Sequence, residues 1–585
     1  MDLTIREGET RTPAAISAAG LINLFALFVL IILVNPVGLD LPLYCSIERY
    51  DMINISIYPR DFSKIHELFC AKREIEADFD PLNGVDLQRS GQTRAMKIDL
   101  LKFLAPTLLL ATSGFAGGQG VQAKVVVHPD ETTGVMAPEA LGVAAAVWDK
   151  YLTDPAVSRL IKDAGFKVIR YPGGSLSDIY HWKDHSLTKG THSDIYPNTQ
   201  FDSFMSVVRK SRAQALITAN YGSNSDGTGG GDPAEAAAWV KYANLTKRYG
   251  IKYWEIGNEI PGNGFYNGKG WEEDLHAPDT GKKEDRQFNP ALGPVTYGNN
   301  VNAFVRAMKA EDPSIKVGIV MNDPGSWPDG IQPDWNPTVL QTCGQNIDFV
   351  IVHWYGYGMN AKEVLNSIGD VPRIVSRLRK QVDQYCGERS KQIQIWMTEG
   401  DASGFNTRHP GSLFAADHLL TWWESGATHV NWWNIHNGAV GSIDNAYDDQ
   451  GILSNGSSFR DHQEPPVNTP FPPYFGVKMV SQMVRPGDSF VASASDNADL
   501  RVHASRGRKG DLSVMLINRD PDHAADATLN LSGFEAGGRV IQYTYGPDYT
   551  EIKKTILKTS GQDAHYQIPA YSIVVLQFAA AKRAQ

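Results

Sequence analysis

A chain of 585 residues with 42% hydrophobic and 21% charged side chains has the balance of a soluble globular protein. It is too long for one ordinary core, so two folded domains plus processed ends are expected. The formal charge of -10 at pH 7 argues against a nucleic-acid partner, because phosphate binding wants a basic face.

In chain order, the first feature is an apolar stretch of 15 residues from Gly20 to Val34, short of the ~20 that a spanning helix needs. The segment after it has mixed charge and no clear period. Residues 1–95 are therefore expected to be an extension from an over-called upstream start; the rival is a membrane-anchored form held by residues 20–34. At Met96 the sequence begins again with Met-Lys-Ile-Asp-Leu-Leu-Lys, an apolar run from Phe103 to Ala111, and Val121-Gln122-Ala123 before Lys124. A charged start, an apolar middle and a small-x-small end are the anatomy of a secretory signal peptide. Residues 96–123 are thus expected to be removed, leaving a secreted or periplasmic protein with no stable membrane partner. Of the four cysteines, Cys45 and Cys70 fall in the leader and Cys343 and Cys386 in the mature chain. In an oxidising compartment a disulfide between these two and a pair of buried free thiols are equally admissible. No HExxH or CxxC motif is present, so neither a metal nor a cofactor is expected.

Residues 124–139 contain Lys-Val-Val-Val-His, an N-terminal strand expected to join a C-terminal sheet. From 140 to 487, short apolar runs alternate with helix-like segments. The strands are expected at 141–148, 167–172, 214–221, 253–259, 316–322, 347–355, 393–399 and 429–436. Most are continuous apolar runs, which suits parallel strands covered on both faces. Asp154-Pro155 and Asp232-Pro233 are N-cap-plus-proline helix starts, closed at Gly165 and Gly250. Further helices are expected around 201–213, 296–310, 372–386, 412–424 and 473–484. Eight such βα units predict an α/β (β/α)8 TIM barrel with enlarged loops. Gly227 to Gly231 lacks a following Lys-Ser/Thr and reads as a loop, not a phosphate cradle. Residues 488–585 change to short alternating segments at 489–494, 499–504, 511–517, 526–531, 538–544 and 571–578, the pattern of a β-sandwich domain.

In a (β/α)8 barrel the reactive groups sit at the C-terminal ends of the strands. Strand four runs Tyr253-Trp-Glu-Ile-Gly-Asn258-Glu259 and strand seven Ile393-Gln-Ile-Trp-Met-Thr398-Glu399. Two apolar runs that each end on a glutamate at the same rim place two carboxylates across the barrel mouth. That is the arrangement that retaining hydrolysis of a glycosidic bond needs, with one carboxyl donating a proton and the other attacking the anomeric carbon. Thirteen tryptophans supply flat rings, most of them for packing and some for stacking sugar faces. His181 and His185 read as structural or substrate-contact residues, and Asp444, Asp448 and Asp449 as an ordinary solvated loop more than a calcium site.

The Asn-Glu of strand four and the Glu of strand seven resemble the signature of clan A glycoside hydrolases. More narrowly, Arg170-Tyr-Pro-Gly-Gly-Ser175 with Tyr180-His-Trp182, then Ala219-Asn220-Tyr-Gly, Ile347 to Tyr355, and Ile568-Pro-Ala-Tyr-Ser resemble α-L-arabinofuranosidases. The resemblance implies Glu259 as acid/base, Glu399 as nucleophile and Asn258 as partner of a sugar hydroxyl. It implies that His353 and Tyr355 orient the nucleophile or line the sugar subsite, and that Arg170 holds a carboxylate. Asn220, Trp182 and Trp433 complete the expected substrate-binding set, with Trp433 as a stacking platform. Two departures are visible: Ser175 stands where the family carries Asn, and Glu399 is followed by Gly400-Asp401 where the family carries Trp-Asn. The expected partner is a polysaccharide or oligosaccharide. An endo-β-glycanase of the same clan and a non-catalytic carbohydrate-binding protein are the alternatives.

Overall fold

The computed structural model describes residues 120–581 except 267, 269, 324–332, 442–446 and 559–562. The expectations for residues 1–95, for most of the signal peptide and for Asp444 lie outside the described residues. No helix among the described residues is long and apolar enough to cross a membrane.

Eight parallel strands close into a barrel in chain order. They are strand one (Leu141–Ala144), two (Val168–Tyr171), three (Gln214–Ala219), four (Tyr253–Ile256), five (Lys316–Val320), six (Phe349–His353), seven (Gln394–Glu399) and eight (His429–Trp432). Each lies inside the run expected for it and is shorter at one end or both. Their burial is nearly unbroken, which is why they stand out in the sequence as continuous apolar runs. A helix follows every strand: Pro155–Ala164, Phe201–Ser211, Pro233–Val240, Pro294–Glu311, Trp335–Cys343, Val371–Tyr385, His409–Glu424 and Pro472–Met483. Trp335–Cys343 was not anticipated. The third helix ends at Val240 and passes into a π-helical turn, Lys241–Thr246. Asp232 caps it as expected, accepting from the Ala234 amide at 2.8 Å.

The second core belongs to a nine-strand sheet. Its order is Lys553–Lys558, Ala536–Tyr545, Ser572–Ala580, Leu512–Asn518, Leu500–Arg506, Ser489–Ser495, Val121–Val135, Ala525–Asn530 and Asp563–Ile568. The long strand Val121–Val135 pairs antiparallel with Ser489–Ser495 and parallel with Ala525–Asn530, and its register slips near His128 and Thr132. Bulges of this kind bend a strand. The two flanks thereby face each other, and Leu529 and Ile568 share one cluster with Val514, Leu516 and Leu576. The alternate residues Met515, Ile517, Ile573 and Val575 join the barrel's cluster instead. Period-two alternation thus gives the central strands one face for each core. The two strands missing from the sequence reading, Lys553–Lys558 and Asp563–Ile568, are the sheet's edges. The first is exposed and lysine-rich, as edges commonly are, and carries no apolar pattern to find.

Helix His409–Glu424 is buried from Gly411 to Trp423 because it lies between barrel and sheet. Its Asp417 receives Arg501 Nε at 3.1 Å and lies 3.1 Å from His503 Nε2, while Glu424 lies 3.0 Å from His503 Nδ1. Burial alone would depress His503, but the Glu424 and Asp417 carboxylates outweigh it and push the imidazole up to about 9. Because the folded value lies above the ordinary 6.5, this contribution is complete below pH ~6.5 and is lost as pH rises through about 9. It amounts to about 3 kcal/mol. Urea midpoints are expected to fall between pH 6.5 and 9 in the parent and to stay comparatively flat in His503→Gln; equal slopes in both would refute the assignment.

Cys343 and Cys386 are separate, buried thiols, so the disulfide option is not taken. Burial pushes both thiols up, Cys386 to about 11. Asp448 and Asp449 are also buried, not solvated. Asp448 accepts from the Thr407 amide and the Asn406 side chain, and Asp449 from the Gly438 and Gly451 amides.

Candidate active site

Strand four stops at Ile256, and Gly257, at φ 76°, turns the chain so that Asn258 and Glu259 leave the strand at the barrel mouth. A Cβ at Gly257 would meet Ile260 at 2.7 Å and Tyr221 at 3.0 Å, so only glycine fits this turn. Glu399 is the last residue of strand seven. Between the two glutamates stands His353, the end of strand six. Its Nδ1 lies 2.9 Å from Glu259 Oε1 and 3.6 Å from Glu399 Oε2. One oxygen from each glutamate and a His353 nitrogen all lie within 4.8 Å of one another.

The two carboxylates are held differently. Glu399 Oε2 accepts from Arg170 Nη1 at 3.0 Å and Oε1 from the Tyr355 hydroxyl at 2.5 Å. Burial and the charge of Glu399 raise Tyr355 well above its usual range, so it remains a donor. Glu259 is part-exposed; its Oε2 accepts from the Trp271 indole N–H at 2.7 Å. Burial pushes its carboxyl up, but the hydrogen bond and attraction of His353, then Trp271 and Arg170, outweigh burial and hold it below the ordinary value.

Arg170, at the end of strand two, is completely buried. Its fork reaches Glu255 Oε2 at 2.8 Å, Glu399 Oε2 at 3.0 Å and Asn258 Oδ1 at 2.9 Å. It holds a carboxylate, as expected, and supports the barrel interior through Glu255 at the same time. Asn258 is only 1% exposed. Its Oδ1 is taken by Arg170 and its Nδ2 by Glu272 Oε2 at 3.0 Å. These internal partners fix the orientation of Asn258, which is not among the residues that line the cleft at the barrel mouth.

A cleft of about 560 Å³ opens above these groups. It is lined from strand four by Glu259, Gly262 and Trp271, from strand five by Met321 to Asp323, from strand six by His353 to Tyr357, and from strand seven by Glu399 and Ser403. Its size is that of a small-ligand site. The other three expected binding residues lie elsewhere. Trp182 stacks on Trp239 (5.7 Å between rings, 8° apart) and donates to the Glu235 carbonyl at 3.3 Å. Asn220 accepts from the Ser223 amide and donates to the Tyr180 carbonyl. Both border a separate, very small cavity beside helix Pro233–Val240. Trp433 is 7% exposed and packs beside Trp148 and over Gly174, with its amide donating to the Gly400 carbonyl next to Glu399, and it is not among the cleft-lining residues. His181 and His185 are structural. His181 sits between Glu235 and Thr188, and His185 between the Tyr180 hydroxyl and the Tyr196 carbonyl.

Several site residues escaped the sequence reading. Glu255 had a visible signal: a charge inside an apolar strand, four residues before Glu259. Asp401 is fully buried two residues beyond Glu399. Burial, then the charges of Asp448 and Glu399, raise its carboxyl well above the usual range. Trp271 and Glu272 come from the 260–294 excursion. Glu272 is buried against Asn258, and burial together with the charge of Asp178 pushes its carboxyl well up. Asp178 accepts from the amides of Tyr221, Gly222 and Asn258. These amides favour its anion and leave the proton on Glu272.

No family model matches the chain. An intracellular exo-α-(1→5)-L-arabinofuranosidase of Acetivibrio thermocellus is 26% identical over 220 residues, which is 34% of this chain and 38% of that relative. The chain thus aligns with little more than a third of that protein's length. Among solved structures, an α-L-arabinofuranosidase from Thermotoga maritima matches at TM-score 0.59 with 17% identity, covering 78% of this chain and 99% of the other. CelM2, a bifunctional glucanase-xylanase from a metagenome library, matches at TM-score 0.57 with 16% identity over 79% of this chain and all of the other. In aligned sequence about a third of the chain is similar to α-L-arabinofuranosidases, and in fold the chain is similar to clan A glycoside hydrolases.

Proposed function

We propose that the protein is an exported retaining glycoside hydrolase of the α-L-arabinofuranosidase type, acting on a plant-type or microbial polysaccharide or its oligosaccharides. The observation that carries this reading is the pair Glu259 and Glu399, with oxygens within 4.8 Å across the barrel mouth. Retaining enzymes hold their carboxyl groups ~5–5.5 Å apart and inverting ones ~6.5–9.5 Å, to admit a water. The unequal environments fit unequal roles. Glu399, fixed by Arg170 and Tyr355, attacks the anomeric carbon as Glu259, in its protonated form, passes its proton to the leaving oxygen and the carbon–oxygen bond breaks. Because the Glu259 carboxyl is held below its ordinary value, activity is expected to fall as pH rises through the ordinary carboxylate range. Glu259, now a carboxylate beside His353, then takes a proton from the water that releases the sugar from Glu399.

An endo-β-glycanase is the second reading. It is favoured by Tyr357, 50% exposed and lining the same cleft, an aromatic surface on which a longer chain would pack. One experiment tests export and substrate together. The protein recovered from the medium or periplasm of the organism that makes it is expected to have lost the apolar leader and to begin at or before Val121, not at Lys124, because Val121–Ala123 pair with Ala525–Ala527 in the folded sheet. It is expected to cleave an aryl α-L-arabinofuranoside at least tenfold faster than unsubstituted glucan or xylan. The opposite preference would move the assignment to the endo-glycanase, and an amino terminus at Met1 or Asp2 would overturn the signal peptide.

A further inference from the structure

Glu272 is a buried carboxyl that lines no part of the cleft. Its Oε2 accepts from Asn258 Nδ2 at 3.0 Å, and its Oε1 is buried and receives no hydrogen bond from a described group. The charges that act on it most, those of Asp178 and Glu259, are both negative, and Ser175 faces it from the same 3₁₀ turn as Asp178. A carboxylate there would be a buried charge among like charges. An un-ionised acid is satisfied, because its O–H donates to Asp178, whose oxygens already hold the amides of Tyr221, Gly222 and Asn258. Asn258 is thereby gripped at three atoms: its amide by Asp178 at 2.7 Å, its Nδ2 by Glu272 and its Oδ1 by Arg170 at 2.9 Å.

Glu272 also lies where the 260–294 excursion returns to the barrel. The amides of Trp271 and Glu272 donate to the Gly262 carbonyl at 2.9 and 3.3 Å, and the Leu275 amide to the Gly222 carbonyl at 2.7 Å. The packing is close. A Cβ at Gly222 would meet the Glu273 carbonyl oxygen at 2.1 Å and the Asp178 Cβ at 2.7 Å. Two residues that bear on Glu259 are tied to this anchor: Trp271, whose indole N–H donates to Glu259 Oε2 at 2.7 Å, and Asn258, which precedes Glu259 in the chain.

Resting on the reading of Glu259 as the acid/base, we propose that Glu272 is its positioning residue, an un-ionised acid that latches the excursion to Asp178 and Asn258. The latch fixes both the Asn258–Glu259 turn and the indole that bonds Glu259. Glu272 touches no substrate atom; it sets the direction in which Glu259 presents its proton. A misplacement of ~1 Å in such a group costs on the order of a hundredfold in rate.

The test uses the full chain and two substrates of one sugar. One is α-L-arabinofuranosyl fluoride, whose leaving group needs little acid assistance, and the other α-(1→5)-linked L-arabinobiose, whose leaving group needs much. Glu272→Met fills the site and removes its polar atoms. Its loss of kcat/KM on the disaccharide is expected to exceed that on the fluoride by about tenfold or more, and to fall mostly on kcat. Glu272→Gln accepts from Asn258 and donates to Asp178 as the un-ionised acid does, and is expected to restore the disaccharide rate to within about fivefold of the parent. Glu272→Asp, which keeps the acid and draws it back from Asn258, gives the same comparison if Glu272→Met does not fold. Equal losses on both substrates, or a Gln variant as damaged as the Met or Asp variant, would overturn the proposal. In a Glu259→Ala background the further loss from Glu272→Met is expected to shrink to about threefold or less, since no acid remains to be positioned; a loss that persists in full overturns the proposal too. Glu259→Ala alone separates this failure from failure of the underlying reading. If its losses depend on the leaving group while those of the Glu272 variants do not, only the role of Glu272 falls. If they do not depend on it, the acid/base assignment falls as well.

Discussion

Glu399→Ala is expected to lower kcat by about 10⁴-fold or more, because the covalent route has no other nucleophile. Glu259→Ala is expected to cost roughly 10²–10⁴-fold on substrates with poor leaving groups and much less on activated ones. Azide distinguishes the two roles. In Glu259→Ala, azide attacks the glycosyl-enzyme from the face the acid/base has vacated, and the glycosyl azide keeps the configuration of the substrate. In Glu399→Ala, azide takes the place of the missing nucleophile, and the product is inverted. If neither variant loses activity the hydrolase reading fails, and a non-catalytic carbohydrate-binding protein on the same scaffold takes its place. If the two azide products are exchanged, the roles of the glutamates are exchanged with them.

Arg170→Met is expected to destabilise the fold by about 3–5 kcal/mol, the cost of removing one member of a buried ion pair. The charge lies at the bottom of the barrel mouth with Glu255 and Glu399 on either side. Glu255 is fully buried and cannot reach water to replace it, and Glu399, which lines the cleft, is only 5% exposed. Urea unfolding measures the loss. Adding Glu255→Gln to Arg170→Met is expected to recover part of it, since residues within one network are not additive. Arg170→Lys keeps the charge but not the fork, and falls between parent and Arg170→Met. A midpoint in Arg170→Met within about 1 kcal/mol of the parent would mean that the three contacts of Arg170 are replaceable.

The barrel was legible because its strands are covered on both faces. Each had to be an unbroken apolar run, such as Phe349–His353, and each helix had to begin and end on residues with a local reason to be there, such as Asp232, Pro233 and Gly165. The same physics made Glu259 and Glu399 visible: a carboxylate at the end of such a run is costly unless the fold uses it. Local pattern says nothing about elements that carry little apolar surface. Lys553–Lys558 was invisible because an edge strand faces water, and Trp335–Cys343 because its run is short and interrupted by Pro337.

Motif proximity also misled in a specific way. Trp182 and Asn220 stand near recognisable segments, yet their loops turn toward helix Pro233–Val240, where Trp182 finds Trp239. The direction of a loop is set by what it packs on, and the packing partner is far away in sequence. Trp271 reaches Glu259 only because Glu272 is anchored on Asn258 and Gly262 leaves room for the ring. By itself the sequence determined the eight barrel strands, their order along the chain and the two glutamates, since periodicity and the cost of a charge in an apolar run act over a few residues. Only the tertiary structure decided which side chains stand around those glutamates: Arg170 from strand two, His353 and Tyr355 from strand six, Trp271 from a long excursion. Barrel closure brings Arg170 against Glu399 across 229 positions of sequence, and no local pattern encodes that distance.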